Sequence, residues 1–380
     1  MSDLVILIQD PISDRDYERF GISFLKKKFN LSILDHTLLF RPHRAKNQYD
    51  QFKFKNENIK VIKSKNQSKR AINSLKRGTI VISYLNLNRL YKQDYIFRIL
   101  DKNGIKYGAV ICGSVPLLNV NFTIIERLHN FISSKNLFQK LIEKILDILI
   151  SKKLNYNFFL VGGEVYKTHH PNLMKKNINI IKAHSFDYDK YLTFEKLNIN
   201  TTKDNYAVFL DQFIPHHPDF YKTIYCERKL YYKSINAFFE QFERVHNLRV
   251  IIGAHPRADY HNYNPYEGRE LVFSRTIELV KNSAAVLAHA STAINFAVLY
   301  KKKVILLSHP NYHKLFKSEI MSFSKALKTS VVDLSKKNFK KLELKVEKED
   351  YLNYVQKYIK EKDSPENSIW EIFCNYFEKT

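Results

Sequence analysis

The chain has 380 residues, enough for two domains with separate cores, and 62 Lys and Arg against 38 Asp and Glu leave a formal net charge of +24. Apolar residues make up 44% and charged residues 26%, which excludes a disordered, collagenous or low-complexity chain. Three cysteines, far apart and odd in number (Cys112, Cys226, Cys374), exclude a disulfide framework and fit a reducing, cytoplasmic compartment.

The opening segment MSDLVILIQDP has no basic flank and only a short apolar run, so it reads as a first strand (4–8) rather than a signal peptide. A helical pattern over 17–29 and a strand over 31–34 follow. Next come a polar helix near 67–77, the strand TIVISYL (79–85), a helix over 89–102 and the strand KYGAVICG (106–113). FISSKNLFQKLIEKILDILIS (131–151) has the period of a long amphipathic helix and leads to the strand NFFLVGG (157–163). The rhythm loosens over 165–204, where the strand INIIKA and the polar run NINTTKDN place a linker within 186–204. A second series starts at YAVFLD (206–211). It runs through a helix (229–246), RVIIGA (249–254), a helix (273–282), AAVLAHA (284–290), a helix (292–300) and KVILLS (303–308). Helical patterns over 348–361 and 365–378 close the chain. No stretch approaches the roughly 18–20 apolar residues of a membrane span.

Near-continuous apolar strands alternating with helices predict α/β architecture with parallel sheets covered on both faces. Two doubly wound, Rossmann-type domains of similar size with C-terminal helices resemble the GT-B class of glycosyltransferases, whose domains face each other across a crevice. A two-domain epimerase or a periplasmic-binding module would show the same rhythm, because fold does not fix function.

Two strand ends carry the chemistry. RVIIGA runs into His255-Pro256-Arg257, where Gly253 would allow close backbone approach and Pro256 would stiffen the turn. His255 could hydrogen-bond or protonate a phosphate oxygen, with Arg257 as a charge-assisted donor. AAVLAHA runs into Ser291-Thr292-Ala293, placing two hydroxyls at the expected start of a helix, an anion-compatible position. The plainer readings are a structural His-Pro turn and an ordinary helix cap. His-Pro also occurs at His170-Pro171, His217-Pro218 and His309-Pro310. The histidine pairs at 169–170 and 216–217 lack the spacing of a metal site. There is no P-loop, dinucleotide or nucleophile-elbow sequence.

The ordered pair of His-Pro and Ser-Thr motifs resembles bacterial sialyltransferases and Kdo transferases of GT-B architecture, over roughly 205–310. The resemblance implies that His255 and Pro256, with Ser291 and Thr292, hold the CMP moiety of a CMP-activated ulosonic acid. It implies an acceptor-binding domain over 1–190, a donor-binding domain over 205–345, and helices over 346–380 packing back towards the first. The acidic motif that supplies the base in many such sialyltransferases is absent: Asp101-Lys102-Asn103-Gly104 and Glu267-Gly268 do not fit it. The candidate base or nucleophile is therefore Asp211 at the end of YAVFLD, then Glu164 after NFFLVGG, then Asp10 after the first strand.

The implied activity is transfer of the ulosonic acid to a bacterial surface glycan, with no cofactor and no metal, because the phosphate leaves on the nucleotide. The basic surface would suit a lipid-linked acceptor at the anionic inner leaflet and would draw in an anionic donor. Lysines and aromatics do not interleave in a nucleic-acid motif, so no nucleic-acid partner is expected. The alternatives are a UDP-sugar transferase or epimerase and a non-catalytic polyanion-binding protein.

Overall fold

The structure is a computed structural model that describes residues 1–44, 58–87, 90–117, 137–151, 153–169, 177–197, 205–216, 225–260, 263–336 and 341–378. The chain divides into two compact units. One comprises Met1–Gly113, Phe122–Phe186 and Asp363–Thr380, and the other Ser114–Asn121 and Asp187–Lys362.

The first unit is built on seven parallel strands: β1 (Asp3–Ile8), β2 (Asn30–Asp35), β3 (Ile59–Val61), β4 (Ile80–Ser83), β5 (Lys106–Ile111), β6 (Phe158–Gly162) and β7 (Asn179–Ala183). Their order is β3-β2-β1-β4-β5-β6-β7. Both faces are covered, which is why the strands are apolar without alternation. Val5 and Leu7 enter one core cluster, while Leu4, Ile6 and Ile8 enter a second on the opposite face. The last helix, Ile369–Glu378, contributes Ile369, Trp370 and Phe373 to that second cluster. The predicted helix over 17–29 is split into Asp14–Arg19 and Ile22–Leu25. Gly21 between them holds φ 58, a Cβ there would overlap the Trp370 indole, and the indole Nε1 donates to the Arg19 carbonyl at 2.9 Å.

The second unit has six parallel strands: β8 (Tyr206–Leu210), β9 (Arg249–Gly253), β10 (Leu271–Val272), β11 (Ala285–Ala288), β12 (Lys303–Ser308) and β13 (Val331–Asp333). They lie in the order β10-β9-β8-β11-β12-β13. Each sheet therefore repeats the doubly wound order 3-2-1-4-5-6, so the expected pair of Rossmann-type sheets is present.

Several boundaries differ from expectation. Phe186 to Lys196, expected within a linker, form a helix, and its residues from Asp187 onward belong to the second unit. Of the expected C-terminal segment 346–380, only Asp363–Thr380 joins the first unit. The helix Lys348–Tyr354 stays in the second unit, where the Tyr351 hydroxyl donates to the Lys302 carbonyl at 2.8 Å. Lys314–Leu327 forms a helix where none is expected from the sequence. The helix expected over 131–151 is described from Leu137 to Ser151, the rest lying outside the described residues. Its inward side carries Ile150, which packs against the first core cluster. Ile142, Ile145, Leu146, Ile148 and Leu149 are between 37% and 50% exposed, and Asp147, half-buried between them, accepts the Tyr91 amide at 2.8 Å.

Candidate functional site

In the second sheet β8, first in the chain, lies between β9 and β11, second and fourth. The connections leaving β8 and β11 therefore run to opposite sides, and the carboxyl edge between them is the switch point where doubly wound sheets take ligands. Asp211 and Gln212 stand there, directly after β8.

Asp211 is buried and accepts four hydrogen bonds. Oδ1 takes the Phe213 amide at 2.8 Å and the Tyr266 hydroxyl at 2.9 Å. Oδ2 takes the His255 amide at 3.2 Å and the Tyr260 hydroxyl at 2.9 Å. Burial pushes its carboxyl pKa up, and the four donors pull it part of the way back. A carboxylate saturated in this way and closed off from solvent cannot also reach an acceptor hydroxyl or an anomeric carbon. The expectation that Asp211 is the base or nucleophile is thus corrected: it ties the loop after β9 to the end of β8. Phe213, which it also holds, adopts a left-handed φ of 51, a conformation that costs a non-glycine residue about 1–2 kcal/mol.

Gln212 performs the matching task on the other side. Its side-chain amide pairs with both backbone groups of Ala290, the Ala290 amide donating to Oε1 at 2.8 Å and Nε2 donating to the Ala290 carbonyl. Two consecutive residues therefore fix both strand ends that carry the motifs, the His-Pro loop through Asp211 and the Ser-Thr loop through Gln212.

The His-Pro segment is a tight turn. The Ala258 amide donates to the His255 carbonyl at 2.9 Å, and the Arg257 amide donates to His255 Nδ1 at 3.2 Å. With Nδ1 accepting, the proton of the neutral imidazole is assigned to Nε2, which makes Nε2 a donor towards an oxyanion. His255 is half-buried; Pro256 and Arg257 are exposed. The same turn recurs at His309-Pro310 after β12. There the Asn311 amide donates to His309 Nδ1 at 3.1 Å and the Tyr312 amide to the His309 carbonyl at 3.0 Å. The motif is therefore first a turn device. His255 differs in its greater exposure and in having its backbone held by Asp211. His170-Pro171 and His217-Pro218 lie outside the described residues.

Gly253, expected to permit close approach, does not require it: a Cβ would meet the Phe209 carbonyl at an ordinary 3.5 Å. At the second motif, Ser291 Oγ accepts the Ala293 amide at 3.3 Å, Thr292 is exposed and Ala293 is half-buried. The helix begins only at Ile294, with Ala293 as its uncapped N-cap, and runs six residues to Leu299. Ser291 and Thr292 thus precede the helix instead of opening it, and so short a helix has little dipole to offer an anion. What remains there is a pair of hydroxyls.

His289, which no sequence motif marks, is fully buried. Its ring lies 2.7 Å from the Leu307 carbonyl through Nδ1 and 3.2 Å from the Tyr231 hydroxyl through Nε2, and burial holds its pKa down at about 4. It locks β11 to β12 as a neutral group. A single histidine in an apolar run gave no signal of this.

In the first unit Glu164 is partly exposed after β6, with an ion pair to Lys167 at 3.9 Å. Gly162 before it does require its small size, since a Cβ would lie 2.7 Å from the His184 carbonyl carbon. Asp10 is bound by two guanidinium groups, Arg41 at 2.9 and 3.0 Å and Arg44 at 3.0 Å, so it serves as a counter-ion and not as a base. No group of three metal-ligating side chains occurs among the described residues.

No protein-family model matches the chain, and a search of curated protein sequences finds no match. Among solved structures, the UDP-GlcNAc 2-epimerase of Methanocaldococcus jannaschii is similar at 12% identity, with 99% of both chains covered and a TM-score of 0.48. The calicheamicin glycosyltransferase CalG4 is similar at 8% identity over 88% of this chain and 86% of its own, with a TM-score of 0.46. UGT2 of Phytolacca americana with UDP-2-fluoro-glucose and pterostilbene shares 10% identity over 98% and 93%, with a TM-score of 0.44. Likeness this distant says nothing of the substrate.

Proposed function

We propose that the protein is a glycosyltransferase whose second unit holds a CMP-activated ulosonic acid, Kdo-like or sialic-acid-like, for transfer to a bacterial surface glycan. The observation that carries this reading is the pairing of Asp211 and Gln212, which hold the His-Pro and Ser-Thr loops on either side of the switch point. The anchored groups, a His255 Nε2–H donor beside Arg257 and the hydroxyls of Ser291 and Thr292, suit a nucleotide phosphate. His255 would stabilise or protonate the departing CMP phosphate. Because that phosphate leaves on the nucleotide, the chemistry calls for no divalent cation.

With Asp211 committed to the loops, the proposed base is Glu164 of the first unit, which would hold the acceptor. No helix among the described residues is long and apolar enough to cross a membrane. We propose that the protein works at the cytoplasmic face of the membrane. The net charge of +24 and the outward apolar stripe of the helix Leu137–Ser151 support docking to an anionic leaflet.

The test is ligand-induced thermal stabilisation. CMP at 100 times its Kd should stabilise the protein by about 2.7 kcal/mol, and UDP should not. A shift with UDP and none with CMP would replace the donor class by UDP-sugars.

A further inference from the structure

Beside the His-Pro turn, at the carboxyl edge of β8 and β9, lies a cavity of about 240 Å³. It is smaller than the roughly 300–1,000 Å³ that encloses a whole drug-sized ligand, so it fits one moiety of a nucleotide-sugar and not all of it. Its walls are aromatic, formed by Phe213, Tyr232, Tyr260 and Tyr263. Phe213 and Tyr260 meet edge to face with ring centroids 5.5 Å apart, and the Tyr260 hydroxyl is fixed on Asp211. One buried carboxylate thus anchors both this wall and the amide of His255, which joins the cavity mechanically to the proposed phosphate site.

The polar groups of the lining are Arg228, His216 and Asp259. Arg228 opens the helix Arg228–His246, is exposed, and forms no ion pair among the described residues. Burial and then the Arg228 charge hold the His216 pKa below its usual value, so the imidazole there is neutral and Arg228 is the cation. Aromatic faces favour the C–H face of a sugar ring or a planar base. A bare phosphate would make no use of them, and a neutral base could accept from Arg228 but would leave its charge uncompensated.

We propose that this cavity takes a carboxylated pyranose ring, its apolar face against the tyrosines and its carboxylate on Arg228. Asp259 would accept from ring hydroxyls. The assignment rests on the donor reading above and adds to it the residue that selects an acidic sugar.

The test is saturation-transfer NMR and titration of the full-length protein with free N-acetylneuraminate, its methyl ester, cytidine and CMP. The carboxylated sugar should bind at least tenfold more tightly than its ester. Arg228→Met, which keeps the aliphatic stem, should abolish that preference and leave CMP affinity unchanged, and Tyr263→Ala should weaken both sugars. Failure of the carboxylated sugar to bind at millimolar concentration while CMP still binds would overturn the cavity assignment and leave the donor reading standing. Arg228-dependent binding of the acid with no CMP binding would sustain the cavity and sink the donor reading. Cytidine displacing the sugar, with an affinity indifferent to Arg228, would reassign the cavity to the base.

Discussion

At Asp211 four donors converge on two oxygens, so Asp211→Asn leaves one acceptor oxygen and brings an amide NH2 among groups that are themselves donors. Losing hydrogen bonds to a buried charged group should cost about 2–3 kcal/mol, a fall of roughly 4–10 °C in the unfolding midpoint for a unit of this size. Tyr266→Phe should move it in the same direction by less. Thermal unfolding checks both, and an Asp211→Asn protein with an unchanged midpoint would return Asp211 to the list of candidate bases. The position of Asp211 at a strand's end was legible in the sequence; its role was not, because Tyr260 and Tyr266 lie 49 and 55 residues away. Gln212 had no signal at all, since its partner is the backbone of Ala290. The His-Pro motif was visible, but its recurrence at His309 shows that much of its geometry serves to cap a turn.

Among the elements, the helix Leu137–Ser151 packs Ile150 on the core and leaves a second apolar stripe in solvent. Its stripe of Ile142, Ile145, Leu146 and Leu149 has helical spacing and, with Ile148, is substantially exposed. Ile145→Ser with Leu149→Ser should remove about 2 kcal/mol of apolar burial against a bilayer, weakening flotation with phosphatidylglycerol vesicles more than tenfold. An unaffected flotation would contradict membrane docking by this helix, and a concentration-dependent dimer lost in the double variant would assign the stripe to a second copy. Elements with strong signals were read correctly from the sequence, notably β1, β8, β9, β11 and β12, each a continuous apolar run. Short edge strands such as β10, two residues long, carry too few side chains to show a period. The helix from Phe186 to Lys196 has aromatic and charged residues on all sides, so no apolar stripe marked it.

Across the whole molecule, each unit contains, among the described residues, one deeply buried histidine with its pKa lowered to about 4: His36 in the first, where burial outweighs the Leu34 hydrogen bond, and His289 in the second. A depressed folded-state pKa means that unfolding takes up protons. The stability concerned is present above the ordinary pKa of about 6.5 and is lost as pH falls towards 4. Each group should contribute about 3 kcal/mol to that loss. The unfolding midpoint should therefore drop steeply between pH 6.5 and 4, and His36→Gln with His289→Gln should flatten the slope whatever their effect at neutral pH. An unchanged slope in the double variant would show that other groups govern the acid transition. The repeat of the doubly wound order in both sheets was legible as a shared rhythm of strands and helices. The assignment of Asp363–Thr380 to the first unit was not, because it depends on Trp370 meeting Gly21 across nearly the whole length of the chain.

A crystal structure of the protein with CMP would show whether the two loops at the second-unit switch point hold the nucleotide. The phosphate should lie within hydrogen-bonding distance of His255 Nε2 and of the Ser291 or Thr292 hydroxyl, over the Asp211-Gln212 pair. CMP bound away from both loops, with the second-unit switch point empty, would contradict that placement.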